Sequence, residues 1–425
     1  MSLTQEQQVA FDAAMNAIEN NGRLTINGYA GTGKTFLTRH IVDELKKRGI
    51  NGVVLTAPTH QAKNVLTGLS GKEAYTIHSI LKINPVTYED QVVFDQREIP
   101  DLRNTKVLIC DEVSMYDSRL FNILMRSAPD SAIIGLGDIA QLAPVNDTEI
   151  SRFFTSEKFN QVSLTEVIRN GQAIIDVATS VRNGEDIFEN VVNDEGVFCL
   201  RSDKSIKTFF ERYFKIVKTL DDCSSTKIMC YTNKNVQKLN QIVRKNLLKT
   251  EDPYVKDEIL ILQEPVSKTY TYNGKELSET IFNNGEAIKI EAISFGKQKF
   301  MFTGMPGQEF DICSLLVRSL DSGIQETLNV FPDEQTQNKF GLFMSKAADR
   351  MKTGSIRKQW KLWWKHKGFY TQVGYYPVCT IHKLQGSTIE NAFLYTPCMS
   401  NADELTRQQL LYVGLTRATK NVFYV

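Results

Sequence analysis

The run Gly28-Tyr29-Ala30-Gly31-Thr32-Gly33-Lys34-Thr35 spaces three glycines, a lysine and a hydroxyl as a bound triphosphate needs them. Glycine at Gly28, Gly31 and Gly33 lets backbone N–H groups, those of Ala30 and Thr32 included, wrap phosphate oxygens. Lys34 then neutralises the β and γ oxygens and Thr35 ligates magnesium. The run follows a short apolar stretch and opens a helix, whose N-terminus favours an anion. A glycine-rich turn that binds nothing would not need those flanks. ATP or another nucleoside triphosphate is the expected ligand, with Mg2+.

Two later runs suit hydrolysis. Asp111-Glu112 follows the apolar stretch 107–110, which places two adjacent carboxylates at the carboxyl edge of a parallel sheet beside the phosphate loop. Asp111 would hold the magnesium shell and Glu112 would polarise the attacking water. Gly137-Asp138-Ile139-Ala140-Gln141 follows the next apolar stretch, and the Gln141 amide can hydrogen-bond the γ-phosphate or the water. This division of labour suits a water nucleophile better than a small-molecule kinase.

The elements that must position these residues read as α/β. A helix over 3–20 leads into a strand over 23–27, and strands follow over 53–56, 107–110 and 132–136 with helices between them. Short, continuously apolar strands are those buried on both faces of a parallel sheet. A second α/β region opens near 170, with helices over 174–183, 205–218 and 236–248 and a strand over 227–231, and resumes at Tyr375 with strands over 377–381 and 392–395. Between them, from 257 to 331, the texture alternates and turns at Asn273-Gly274, Asn283-Asn284-Gly285 and Phe295-Gly296, as in a small antiparallel barrel. A hairpin is expected over 84–100, with arms on either side of Glu89-Asp90.

In that order the motifs resemble those of superfamily-one helicases, in particular the RecD-like branch and the small Dda helicases of tailed phages. Ala57-Pro58-Thr59-His60 resembles motif Ia, Thr76-Ile77-His78-Ser79 motif Ib, and Leu164-Thr165-Glu166-Val167-Ile168-Arg169 the motif that closes the first motor domain. Thr380-Ile381-His382-Lys383-Leu384-Gln385-Gly386-Ser387 resembles motif V, and Tyr412-Val413-Gly414-Leu415-Thr416-Arg417 motif VI. Ile168 stands where related motors often carry an aromatic ring. The resemblance implies two RecA-like P-loop domains, over 1–83 with 101–170 and over 171–250 with 374–425. The hairpin over 84–100 would be inserted in the first, and an SH3-like β-barrel over 251–373 in the second. It further implies ATP in the cleft between the two domains and movement 5′ to 3′ on single-stranded DNA. It gives Lys34, Thr35, Asp111, Glu112, Gln141, Arg169 and Arg417 to the nucleotide, with Gln7 reading the adenine edge. It gives Thr59, His60, Thr76, His78, Thr380, His382 and Ser387 to DNA. A guanidinium reaching the γ-phosphate spreads the charge that builds during transfer, and Arg417, on the second domain, would act only when the cleft closes.

Phe94, an apolar ring in the polar hairpin, is the candidate wedge at a junction of single and double strands, against the alternative that it packs the hairpin on the body. Residues 346–367 hold eight Lys or Arg and all three tryptophans, Trp360, Trp363 and Trp364; these suit either a nucleic-acid surface or an amphipathic helix with a tryptophan core. Composition bounds the rest. The chain has 425 residues, 42% apolar and 23% charged, enough for two to four domains. A net charge of +1 gives no global pull toward nucleic acid, so binding must come from local patches. Seven cysteines without a C-x-x-C pair are neither a disulfide framework nor a zinc cluster. With no long apolar run, a monomeric, cytoplasmic protein with no membrane contact is expected, partnered by single-stranded DNA and possible replication or recombination proteins. A translocase that never parts strands and an NTPase switch without nucleic acid are the competing readings.

Overall fold

The computed structural model describes residues 2–88, 91–96, 98–144, 149–168, 171–201, 205–272 and 275–425, with backbone alone over 84–88, 91–95, 269–272 and 275–278. Contacts divide the chain into two units, one of residues 1–217, 224–236 and 379–425, the other of 218–223 and 237–378.

The first unit is built on two six-stranded sheets, here called lobe one and lobe two. Across lobe one the strands run Ala74–Thr76, Val53–Ala57, Val107–Cys110, Ala132–Gly137, Arg23–Gly28, Asn160–Leu164, all paired in parallel. Its central strands Val107–Cys110 and Ala132–Gly137 are buried at every residue, which is why they read as unbroken apolar runs. Across lobe two the order is Val378–Thr380, Thr226–Cys230, Ile389–Leu394, Ala418–Tyr424, Glu195–Cys199, Asn190–Val192. There Ile389–Leu394 pairs in parallel with Thr226–Cys230 and with Ala418–Tyr424, Glu195–Cys199 pairs in parallel with Ala418–Tyr424, and the short last strand turns antiparallel. The expected α/β class with two parallel sheets is what the chain adopts. The helix after the first glycine turn, Lys34–Lys47, buries Leu37, Ile41 and Leu45 on lobe one at a spacing of four. The strands Ile83–Tyr88 and Gln91–Gln96 form the expected hairpin, with Phe94 opposite Pro85 along the backbone; the Phe94 side chain lies outside the described residues.

The second unit is antiparallel. Its five-stranded sheet runs Gln325–Val330, Met305–Ser319, Ala287–Phe302, Ile259–Leu262, Val373–Tyr375. One expected turn is corrected: Phe295-Gly296 lies inside the 16-residue strand Ala287–Phe302, with Gly296 opposite Ile312, and the chain reverses instead at Gly304, whose φ is +89°. Inner positions alternate along this long ribbon, so Phe300, Phe302 and Phe310 meet Phe340 and Phe343 of the helix Glu334–Lys352. The tryptophans divide. Trp363 is buried and donates its ring N–H to the Met344 carbonyl at 3.0 Å, Trp360 packs beside it, and Trp364 is 48% exposed.

A buried ion pair supports this unit. The Arg244 guanidinium grips both Glu258 oxygens through Nε and Nη2, at 2.5 and 3.0 Å, and lies 4.4 Å from the Tyr375 ring centre. Removing one partner strands the other charge in the core, so Glu258→Ala is expected to destabilise the unit by about 3–5 kcal/mol, while a paired apolar replacement of both residues costs far less. Urea unfolding of the single and double variants measures the difference.

Candidate active site

The glycine turn bridges the strand Arg23–Gly28 and the helix Lys34–Lys47, with Gly31 and Gly33 at φ +85° and +78°. Gly33 is doubly constrained, because a Cβ there would also stand 2.6 Å from the Gln7 amide nitrogen. Lys34 folds its ammonium back over the loop, donating to the Gly28 and Tyr29 carbonyls at 2.7 and 3.0 Å. Thr32 hydrogen-bonds the Tyr29 carbonyl and Thr35 lies one residue inside the helix. Gln7 braces this turn: its amide oxygen takes the Thr4 N–H and its amide nitrogen donates to the Thr32 carbonyl at 2.9 Å, leaving one N–H and one lone pair for other partners. The segment leading to Arg169 docks on the same loop, with the Ile168 N–H on the Gly31 carbonyl at 2.9 Å and the Thr165 hydroxyl on Glu6 at 2.6 Å. Arg169 itself lies outside the described residues.

Asp111 and Glu112 occupy the carboxyl end of Val107–Cys110. The Asp111 carboxylate takes the Glu112 N–H at 3.0 Å, and Glu112 adopts a left-handed backbone at φ +49°. One oxygen of the Glu112 carboxylate, Oε2, has no hydrogen-bond partner among the described residues although it is buried. Lobe two comes to this carboxylate directly. A Cβ on Gly386 would lie 3.9 Å from Glu112 Oε1 and 3.4 Å from Ala62, and the neighbouring Gln385 donates its amide to Gln141 Oε1 at 3.0 Å. Arg417, 5% exposed, sends Nη1 to the carbonyl of Ser387, the next residue along. Glu112, Gln141 and Arg417 are thus gathered by one short segment, Gln385-Gly386-Ser387.

The residues expected at DNA share a local design. Thr59, Thr76 and Thr380 each follow or end a sheet strand and cap the helical turn that begins there, their hydroxyls accepting N–H groups from Ala62, Ser79 and Lys383. The run Thr76-Ile77-His78 ends the edge strand of lobe one, and Thr380-Ile381-His382 the edge strand of lobe two, with both isoleucines fully buried. Thr232 completes the symmetry. It follows Thr226–Cys230 as Thr59 follows Val53–Ala57, and accepts the Asn235 N–H. The sequence carries no signal for this residue beyond the Tyr231-Thr232-Asn233 step after a strand. The Ser387 hydroxyl is turned inward, donating to the Leu384 carbonyl at 2.7 Å.

His60, His78 and His382 are half-buried, and His382 stacks on Tyr231 with ring centres 6.1 Å apart. Burial pushes His78 and His382 below the ordinary histidine value of 6.5, Asp117 partly opposing this at His78. The folded chain therefore binds protons there less readily than the unfolded chain, so stability is full above pH 6.5 and is lost as pH falls from 6.5 through the lowered folded values. Urea midpoints between pH 7.5 and 5 are expected to fall in the parent and to flatten in His78→Gln/His382→Gln.

Among the described residues no helix is long and apolar enough to cross a membrane. Residues 2–199 match a family described as an AAA domain, 251–374 the Dda helicase SH3 domain, and 377–425 the UvrD-like helicase C-terminal domain. The chain is 44% identical to the ATP-dependent DNA helicase dda of Enterobacteria phage T4, over 100% of this chain and 99% of that protein. It is 23% identical to the ATP-dependent DNA helicase Pif1 of Campylobacter jejuni, over 93% and 86%. Among solved structures, Pif1 from Bacteroides in complex with ADP-AlF3 and ssDNA matches with a TM-score of 0.54 at 17% identity, over 100% of this chain and 92% of that one. Pif1 from Candida albicans gives 0.51 at 18%, over 100% and 94%. With likeness to the phage protein running from end to end, the chain belongs to the Dda family of ATP-dependent DNA helicases.

Proposed function

We propose that this protein hydrolyses ATP between its two lobes, moves 5′ to 3′ along single-stranded DNA and unwinds duplex ahead of it. The observation that carries this is the meeting of Gln385 and Gly386 of lobe two, beside the Ser387 carbonyl that holds Arg417, with Gln141 and Glu112 of lobe one. A hydrolytic site divided between two bodies makes turnover depend on their closure, which is the requirement for a motor. Lys34 and the loop amides hold the phosphates, Glu112 orients and deprotonates water, Gln141 senses the γ-phosphate, and Arg169 and Arg417 neutralise the charge that develops. The Thr35 hydroxyl and Asp111 carboxylate are hard oxygen donors of the kind Mg2+ takes; they would hold the ion, which would supply positive charge to the triphosphate. Gln7 keeps one donor and one acceptor for an adenine edge.

The threonine caps at matching positions of the two lobes would give DNA phosphates a repeated foothold, Thr59 and Thr76 on one lobe, Thr232 and Thr380 on the other, with His60, His78, His382 and Ser387 beside them. Two footholds whose separation changes with closure would turn each hydrolysis into a step. Phe94 on the hairpin would wedge the junction. ATP turnover with and without single-stranded DNA, followed by unwinding of duplexes tailed at the 5′ or the 3′ end, tests the reading. Strong stimulation and opening of only the 5′-tailed duplex are expected. Turnover indifferent to DNA would sink it, translocation without strand displacement would reduce it to a translocase, and opening of the 3′-tailed duplex would reverse the polarity.

A further inference from the structure

One buried cluster between the lobes has polar side chains used by none of these roles, and it engages the Ala30 N–H that the phosphates would otherwise take. The Tyr412 hydroxyl accepts the N–H of Ala30, a phosphate-loop residue, at 3.0 Å and the Arg182 Nη1 at 3.2 Å, and donates to Asp138 Oδ2 at 2.6 Å. Arg182 also pairs with Asp138 Oδ1, and its guanidinium lies 3.8 Å from the centre of the Tyr29 ring. Tyr29, Ala30 and Asp138 belong to lobe one, Arg182 and Tyr412 to lobe two. Asp138 is wholly buried and the Arg182 side chain is 9% exposed. Burial, then the Asp138 charge, raises the Tyr412 phenol well above its ordinary value, so the hydroxyl stays protonated and keeps donating to Asp138.

Two features make this cluster more than packing. A buried carboxylate and guanidinium from different lobes leave little freedom of register, since parting them without water strands both charges. The cluster also ends on the loop that nucleotide must rearrange and begins on the helix Glu404–Leu415, which Arg417 follows by two residues. Gln408 of that helix grips the end of Gln172–Arg182, donating to the Val181 and Arg182 carbonyls at 2.7 and 3.0 Å, so Arg182 and the helix move as one piece.

Building on the two-lobe reading above, we propose that Arg182 and Tyr412 are positioning residues: they clasp the phosphate loop to the helix that precedes Arg417 and pass the nucleotide state of the loop to that arginine. Neither would touch the reacting atoms. The test uses the full chain with Tyr412→Phe, which removes one oxygen and keeps the ring, together with Arg182→Gln and Arg182→Lys. Amide hydrogen exchange of 404–415 is measured without nucleotide and with ADP plus aluminium fluoride, alongside kcat and KM for ATP at saturating single-stranded DNA.

In the parent, nucleotide should slow exchange in 404–415. In Tyr412→Phe and Arg182→Gln that response should vanish, with kcat reduced about tenfold and KM changed less than about twofold. Arg182→Lys, which can still pair with Asp138, should recover part of both. The clasp is wrong if Tyr412→Phe keeps the parental exchange response and kcat, or if losses in kcat across the three variants merely follow losses in urea midpoint. Because the exchange response needs no DNA, a parent indifferent to DNA would sink the helicase reading while leaving the clasp to be judged on its own readout.

Discussion

An Arg417→Ala variant is expected to hydrolyse ATP about 10³ to 10⁵ times more slowly than the parent while still binding the nucleotide, the range that arginine fingers supply in phosphoryl transfer. The expectation rests on where the guanidinium stands. Its nitrogens donate to the Val413 and Ser387 carbonyls and the Thr416 hydroxyl of its own lobe, each at 3.2 Å. Those bonds preset the fork, so little reorganisation is needed when a phosphate gains charge in the transition state. Contact made only then lowers kcat when lost and leaves ground-state affinity largely intact. Arg417→Lys keeps the charge but not the planar fork and should fall between the two. Single-turnover rates set beside the affinity for a fluorescent ATP analogue decide the matter: a kcat within tenfold of the parent, or a defect wholly in affinity, would remove Arg417 from the chemistry.

The parts of this site that could be read from the sequence are those that local geometry makes. A phosphate loop must follow a strand and open a helix, and carboxylates on a sheet edge must follow an apolar run, so Lys34, Asp111, Glu112 and Gln141 announce themselves by what precedes them. The threonine and histidine of Thr76-Ile77-His78 and Thr380-Ile381-His382 were visible as matching words, though not the reason for the match, which is a shared strand end and helix cap. Contacts between the lobes left no such trace. Tyr412 meets Asp138 across 274 positions and Gln385 meets Gln141 across 244, and no periodicity or spacing rule reaches that far. Phe295-Gly296 misleads for another reason: a dipeptide typical of turns is held extended by pairing with the strand that follows it, Met305–Ser319. The basic, tryptophan-rich helix had two readings because helical spacing is the same for a core face and a solvent face. Burial of Trp363 and exposure of Trp364 give each reading one residue.

Glu112 is the second residue whose loss should be nearly complete. A left-handed backbone costs a non-glycine residue about 1–2 kcal/mol, and here it directs a carboxylate into a buried place where Oε2 finds no partner among the described residues. An unpaired buried acceptor is itself costly, and the two costs together fit the role proposed for Glu112, in which the incoming group would be water. Gly386 on the facing lobe lies nearby: its φ of +82° disfavours any side chain, and a Cβ would come into ordinary contact with Oε1 at 3.9 Å. Glu112→Gln preserves shape and removes the base, so turnover is expected to fall by about 10² to 10⁴. ATP and DNA binding should persist, and because the closed, ATP-bound state then cannot discharge, single-stranded DNA should dissociate more slowly from the variant with ATP than from the parent with ATP. Stopped-flow release of a labelled oligonucleotide measures this, and a Glu112→Gln protein that keeps turning over within threefold of the parent would place the base elsewhere.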